Sequence, residues 1–109
     1  MAWTVHLSDE VFEWYQALND AEQAQTERAI DRLEAAGHML RMPHSKALGD
    51  GLFELRFTCG GRAQRVTYVL EAEQNAITLT TFHKTKQNER REVLRARRAQ
   101  RDRAEQNKK

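Results

Sequence analysis

Arg56 and Arg65 stand within the two apolar runs of the stretch GLFELRFTCGGRAQRVTYVL (51–70), one on either side of a Gly-Gly pair. The apolar runs around Gly60-Gly61 read as two antiparallel strands joined by a tight turn. A two-residue and a four-residue turn give the same register. Phe57 then faces Gln64, Leu55 faces Val66, Phe53 faces Tyr68, and Arg56 lies directly opposite Arg65. Like charges across a ladder cost up to about 1 kcal/mol, so the pairing suits an anion site, phosphate for instance. The competing reading is a solvated cluster, because Glu54 shares that face and can pair with Arg56.

More cations gather near this hairpin. The third strand ends TTFHKTK, placing His83 and Lys84 at its C-terminal end and Lys86 just beyond, while Lys46 sits in the segment leading into the hairpin. RNA cleavage without metal needs a base for the ribose 2′-hydroxyl, cations for the pentacoordinate phosphate, and an acid for the leaving 5′-oxygen. Arg65, Tyr68, His83 and Lys84 are residue types able to fill such roles. Taken singly, His83 reads as a surface histidine. Tyr68 reads as core, since it shares the face of Phe53 and Val66. Other chemistries lack their signatures: there is no HExxH, no paired cysteines, no GxxxxGK[ST], no acidic cluster for magnesium and no serine-hydrolase elbow. No ligand spacing links His6 with His38 or His44. The expectation is a site without metal or small-molecule cofactor.

The elements that must position these residues follow from period and punctuation. Trp3, Val5 and Leu7 alternate with Ala2, Thr4 and His6, a short first strand. Ser8 is an N-cap for a helix whose face runs through Val11, Phe12, Tyr15 and Leu18. Asn19-Asp20 breaks it, and Asp20 with Gln23 resembles a capping box for a second helix that includes Ile30 and Leu33 and ends at Gly37. The segment 38–50, HMLRMPHSKALGD, reads as mostly loop. Strands are expected over Leu52–Thr58, Ala63–Ala72 and Ala76–His83, with connections short enough only for antiparallel hairpins. From Lys86 the chain turns helical, and residues 100–109 are expected to fray. The order predicts one α+β domain over 1–109, with the helices packed on one face of a small sheet.

Of 109 residues, 31% are charged, so a modest core must carry a large polar surface. The net charge of +2 hides a division. Residues 1–37 hold eight acids against only Arg28 and Arg32, a net −6, and residues 38–109 hold sixteen cations against eight acids, a net +8. Such segregation suits a polyanion on one side. No apolar run reaches membrane-span length, and MAWTVHLSDE lacks the features of a signal peptide. Cys59, the one cysteine, fits a reducing compartment. A cytoplasmic protein without a membrane partner is expected.

The segments PHSKALGDGLFELRF, RVTYVL and TFHKTKQNERREVLRARR resemble the phage-derived, HigB-like branch of the RelE/ParE toxin superfamily. The pattern Pro-x-x-Lys-x-Leu-x-x-Gly-Leu-x-Glu-Leu-Arg, here Pro43 to Arg56, carries most of the likeness, and the element order fits as well. The resemblance implies a type II toxin, a ribonuclease that cuts mRNA on the ribosome and is held in check by a helix-turn-helix antitoxin. It implies phosphate and transition-state contacts from Arg56, Arg65 and the basic segment at Lys84, with Lys46 assisting RNA binding. Arg62, Lys86, Arg90 and Arg91 complete the expected RNA-binding set. His83 is chosen on chemistry, not on the family pattern. There are two departures. RelE has a tyrosine in its terminal basic helix where this chain reads REVLRAR with Leu94, and Phe82-His83-Lys84-Thr85-Lys86 replaces the common Phe-x-Lys-Lys. Two other functions suit the same features: a ParE-like gyrase inhibitor with no acid–base set, and a passive RNA-binding regulator.

Overall fold

The computed structural model describes residues 2–108. Its elements are β1 (Thr4–His6), α1 (Asp9–Gln16), α2 (Asp20–Ala36), β2 (Ser45–Gly49), β3 (Leu52–Cys59), β4 (Arg62–Glu71), β5 (Asn75–His83) and α3 (Glu89–Asn107). The five strands form one sheet in the order β1-β5-β4-β3-β2, with β1 parallel to β5 and the rest antiparallel. Among the described residues no helix is long and apolar enough to cross a membrane.

Local chemistry sets the helix starts. The Ser8 hydroxyl accepts from the Val11 N–H and opens α1. The capping box of α2 is Asn19 with Glu22, one residue earlier than the expected Asp20 with Gln23. Asn19 caps as well as aspartate does, and the shift leaves Asp20 in the first turn, where the helix dipole favours an acid. The inward face of α1 also differs from expectation. Val11 is buried and Trp14 packs on the core, whereas Phe12 is exposed and the Tyr15 hydroxyl bonds Glu27. Gly37 ends α2 at φ 52°, and the Trp3 indole occupies the space a Cβ would need, so both backbone and packing call for glycine.

One correction concerns the layers. Helices α1 and α2 do cover one face, closing a core of Val11, Ala29, Leu33, Leu55, Val66, Tyr68 and Ala76. Helix α3 packs on the other face, where Ala96 meets Leu52, Val69, Ile77 and Leu79. The helices therefore sandwich the sheet instead of sharing one side. A second correction concerns Ser45–Gly49, read as loop and found as edge strand β2, bulged between Ala47 and Gly49. Five residues with one inward serine carry too little apolar alternation to signal a strand. A third concerns the end of α3, which stays helical to Asn107. Arg103 and Asn107 there bond Glu71, with Arg103 reaching both carboxylate oxygens at 2.9 Å.

Candidate active site

The β3–β4 hairpin has the expected register. Cys59 pairs with Arg62 across Gly60 and Gly61, whose φ values of 58° and 77° suit a two-residue turn. Arg56 faces Arg65, and the next pair inward is Glu54 with Thr67. Residues paired across an antiparallel ladder, and those two apart along a strand, share a face. Arg56, Arg65, Glu54 and Thr67 therefore all lie on the α3 side, and Lys46, paired with Glu54, joins them.

Glu54 is the residue that sequence reasoning underrated. Its exposure is 0%, not that of a solvated partner. Arg65 Nε lies 3.5 Å and Arg56 Nε 3.7 Å from Glu54 Oε1, too far for good hydrogen bonds. Both Glu54 oxygens and Arg65 Nε are buried without a hydrogen-bond partner. Burial holds the Glu54 carboxyl above its ordinary range, outweighing the pull of Arg65 and Arg56. Burial, followed by repulsion from Arg56, draws the Arg65 guanidinium below its usual value. Arg65 is fixed by an Nη1–H donated to the Gln64 carbonyl, and Arg56 Nη1 lies 3.2 Å from Met42 Sδ. A cavity of about 370 Å³ opens above the pair, lined by Met42, Pro43, Arg56, Phe57, Thr58, Ala63 and Arg65.

A bulge in β5 decides which residues of TTFHKTK reach this face. Tyr68 pairs with Thr78, yet Val66 pairs with Thr81, so Leu79 and Thr80 together oppose Thr67. The Thr80 N–H displaced from the ladder donates to Thr67 Oγ1 at 3.1 Å, and the two hydroxyls meet at 2.6 Å. The Thr81 N–H donates to Glu10, which also holds Arg95. One extra residue flips every side chain beyond it to the opposite face. His83 consequently pairs with Gln64 and falls on the α1–α2 side, whereas Phe82 pairs with Arg65. The Lys84 N–H continues the ladder to the Ala63 carbonyl at 2.7 Å, which keeps Lys84 in phase with Phe82 and Arg65.

The expected residues thus divide. Arg56, Arg65 and Lys46 act on Glu54 from one face, and Lys84 follows in phase with Arg65 along the ladder. His83 and Arg62 line a different cavity, of about 480 Å³, beside Trp14 and Glu22. Tyr68 is 1% exposed in the α1–α2 core, stacked on Phe53 and bonded to Ser45 at 2.5 Å, so no substrate on the arginine face touches it. Lys86, Arg90 and Arg91 are exposed around the start of α3, where Glu89 is near enough to act on both Glu54 and Arg65.

A five-stranded sheet of this order with helices on both faces has the RelE-like fold of the RelE/ParE superfamily. It is similar to a double arginine-to-alanine mutant of E. coli toxin RelE in the free state, with a TM-score of 0.62 at 10% identity, over 88% of this chain and 94% of that one. Residues 13–109 match the family described as phage-derived protein Gp49-like (DUF891), and the chain belongs to that family. No curated protein matches it by sequence.

Proposed function

We propose that this chain is the toxin of a type II toxin–antitoxin pair, a metal-independent endoribonuclease that cuts mRNA on the ribosome and is neutralised by a helix-turn-helix antitoxin. The observation that carries the reading is the Glu54–Arg56–Arg65 group: two cations side by side over a carboxylate that has no hydrogen bond of its own. A phosphodiester offers the guanidiniums the bidentate acceptor that Glu54 does not. Both Glu54 oxygens lie buried at the guanidiniums, so it is the turning of the arginines to the phosphate that uncovers Glu54 as a base. The 2′-oxygen attacks phosphorus as its proton passes to Glu54, and the arginines carry the charge growing on the non-bridging oxygens. The P–O5′ bond breaks, leaving a cyclic phosphate, and Lys84 supplies the proton to the departing oxygen.

Induced expression with mapping of mRNA ends tests this. The expected result is growth arrest with transcripts cut at ribosome-occupied codons, while Arg65→Ala lowers cleavage by about 10²–10³-fold. Intact transcripts with accumulating DNA breaks would instead identify a gyrase inhibitor. Unimpaired growth would sink the toxin reading altogether.

A further inference from the structure

The acidic first third of the chain contains two cations, and both point to one place. Arg28 and Arg32 are four residues apart on α2, hence neighbours on one helix face. Together with Gln25, His44, Arg56, Phe57 and Thr58 they line a groove of about 320 Å³ that has no acidic side chain in its wall. Acids are plentiful elsewhere on α2, yet neither arginine makes an ion pair among the described residues. Arg32 Nη1 is moreover buried with no hydrogen-bond partner. Cations of this kind retain donors for an incoming anion.

The groove is continuous with the arginine cavity because β2 begins at Ser45, opposite Leu55, whereas β3 runs on to Cys59. The last backbone bond across that edge is the Arg56 N–H to the His44 carbonyl, 2.9 Å. Past it the edge of β3 lies open, and Arg56, Phe57 and Thr58 line both cavities. A strand held at Arg56 and Arg65 can therefore pass round this edge to α2.

We propose that Arg28, Arg32 and His44 form a second phosphate site, holding the backbone phosphate next to the scissile one on the same RNA strand. The inference rests on the reading of Arg56 and Arg65 as the cleavage site. It assigns to α2 the task of fixing the direction in which RNA crosses the sheet edge.

Binding of fully 2′-O-methylated oligoribonucleotides, which cannot be cleaved, tests it on the purified full chain. The Arg28→Ala/Arg32→Ala variant is expected to bind about tenfold more weakly and to lose about 0.7 from its log K against log salt slope, the value for one single-strand phosphate. Arg28→Lys/Arg32→Lys keeps the slope. On the wild-type chain a trinucleotide, with two phosphates, binds about tenfold tighter than a dinucleotide, and the alanine pair removes that difference. If the alanine pair binds like wild type while Arg65→Ala does not, the second site is refuted and the cleavage site stands. If the pair weakens only the antitoxin complex, the groove belongs to a protein partner and the proposal fails. Failure of the wild-type chain to bind any oligonucleotide refutes the second phosphate site, and the mapping of transcript ends then decides the cleavage reading separately.

Discussion

Replacing Glu54 by glutamine separates the chemistry of the site from its architecture. Attraction between Glu54 and the two guanidiniums at 3.5 and 3.7 Å amounts to roughly 4–5 kcal/mol each at an effective dielectric near 20. Burial nonetheless keeps the carboxyl above its ordinary range, so desolvation is the larger effect. The folded state then binds this proton more tightly than the unfolded chain does. Stability from this group is complete below the unfolded pKa, about 4.3, and is lost as pH climbs through the folded one, at about 1.4 kcal/mol per pH unit across that window. Glu54→Gln keeps the shape and one acceptor but removes the titration. Its denaturation midpoint at neutral pH is expected to be no lower than wild type, and its stability-versus-pH curve flatter above the ordinary carboxylate range. Cleavage is expected to fall about 10²–10⁴-fold, the usual contribution of a positioned base, while affinity for a 2′-O-methylated strand holds or rises. Quantified product formation and urea titrations across pH measure both effects. Cleavage within about threefold of wild type, against an expected loss of at least 10², would remove Glu54 from the proton path. An unchanged pH curve would refute the electrostatic argument itself.

His83→Ala is expected to leave cleavage within a few-fold of wild type, because the β5 bulge turns that side chain to the other face; a loss near 10² in the same assay would mean the face assignment is mistaken. Arg103→Ala removes the pair that holds the Glu71 carboxyl below its ordinary range. This contribution is present above the unfolded carboxylate pKa and lost as pH falls through the folded one. The expected cost is about 0.5–1 kcal/mol for a partly buried surface pair, seen as faster amide exchange confined to the last turns of α3.

The hairpin register was legible because the Gly-Gly turn and the alternation of Phe53, Leu55 and Phe57 agree on it, and register alone brings Arg56 opposite Arg65. What lay hidden has a physical reason in each case. The β5 bulge rests on a bond between Thr67 and Thr80, which strand propensity does not report. An unbulged ladder would have set His83 opposite Ala63, on the arginine face, where its chemistry had suggested it belonged. Glu54 lies on the face that α3 covers, and a helix expected from Lys86 gave no sign of which side of the sheet it would take. Edge strand β2 is defined by pairing to β3 rather than by its own residues. The family resemblance supplied the fold and the basic residues, but neither the bulge nor the state of the carboxylate.

The two sides of the sheet are fastened by different forces. Helices α1 and α2 are held by a continuous apolar core. Helix α3 buries a single residue, Ala96, and is tied down by Arg95 to Glu10, Arg97 to the Leu48 and Gly49 carbonyls, and Arg103 to Glu71. Cooling weakens apolar attachment, whereas dissolved salt screens charged attachment at the surface. Temperature and ionic strength therefore act on opposite halves of this molecule. The wall beside Glu54 answers to the ionic composition of its surroundings, and the foundation beneath it does not.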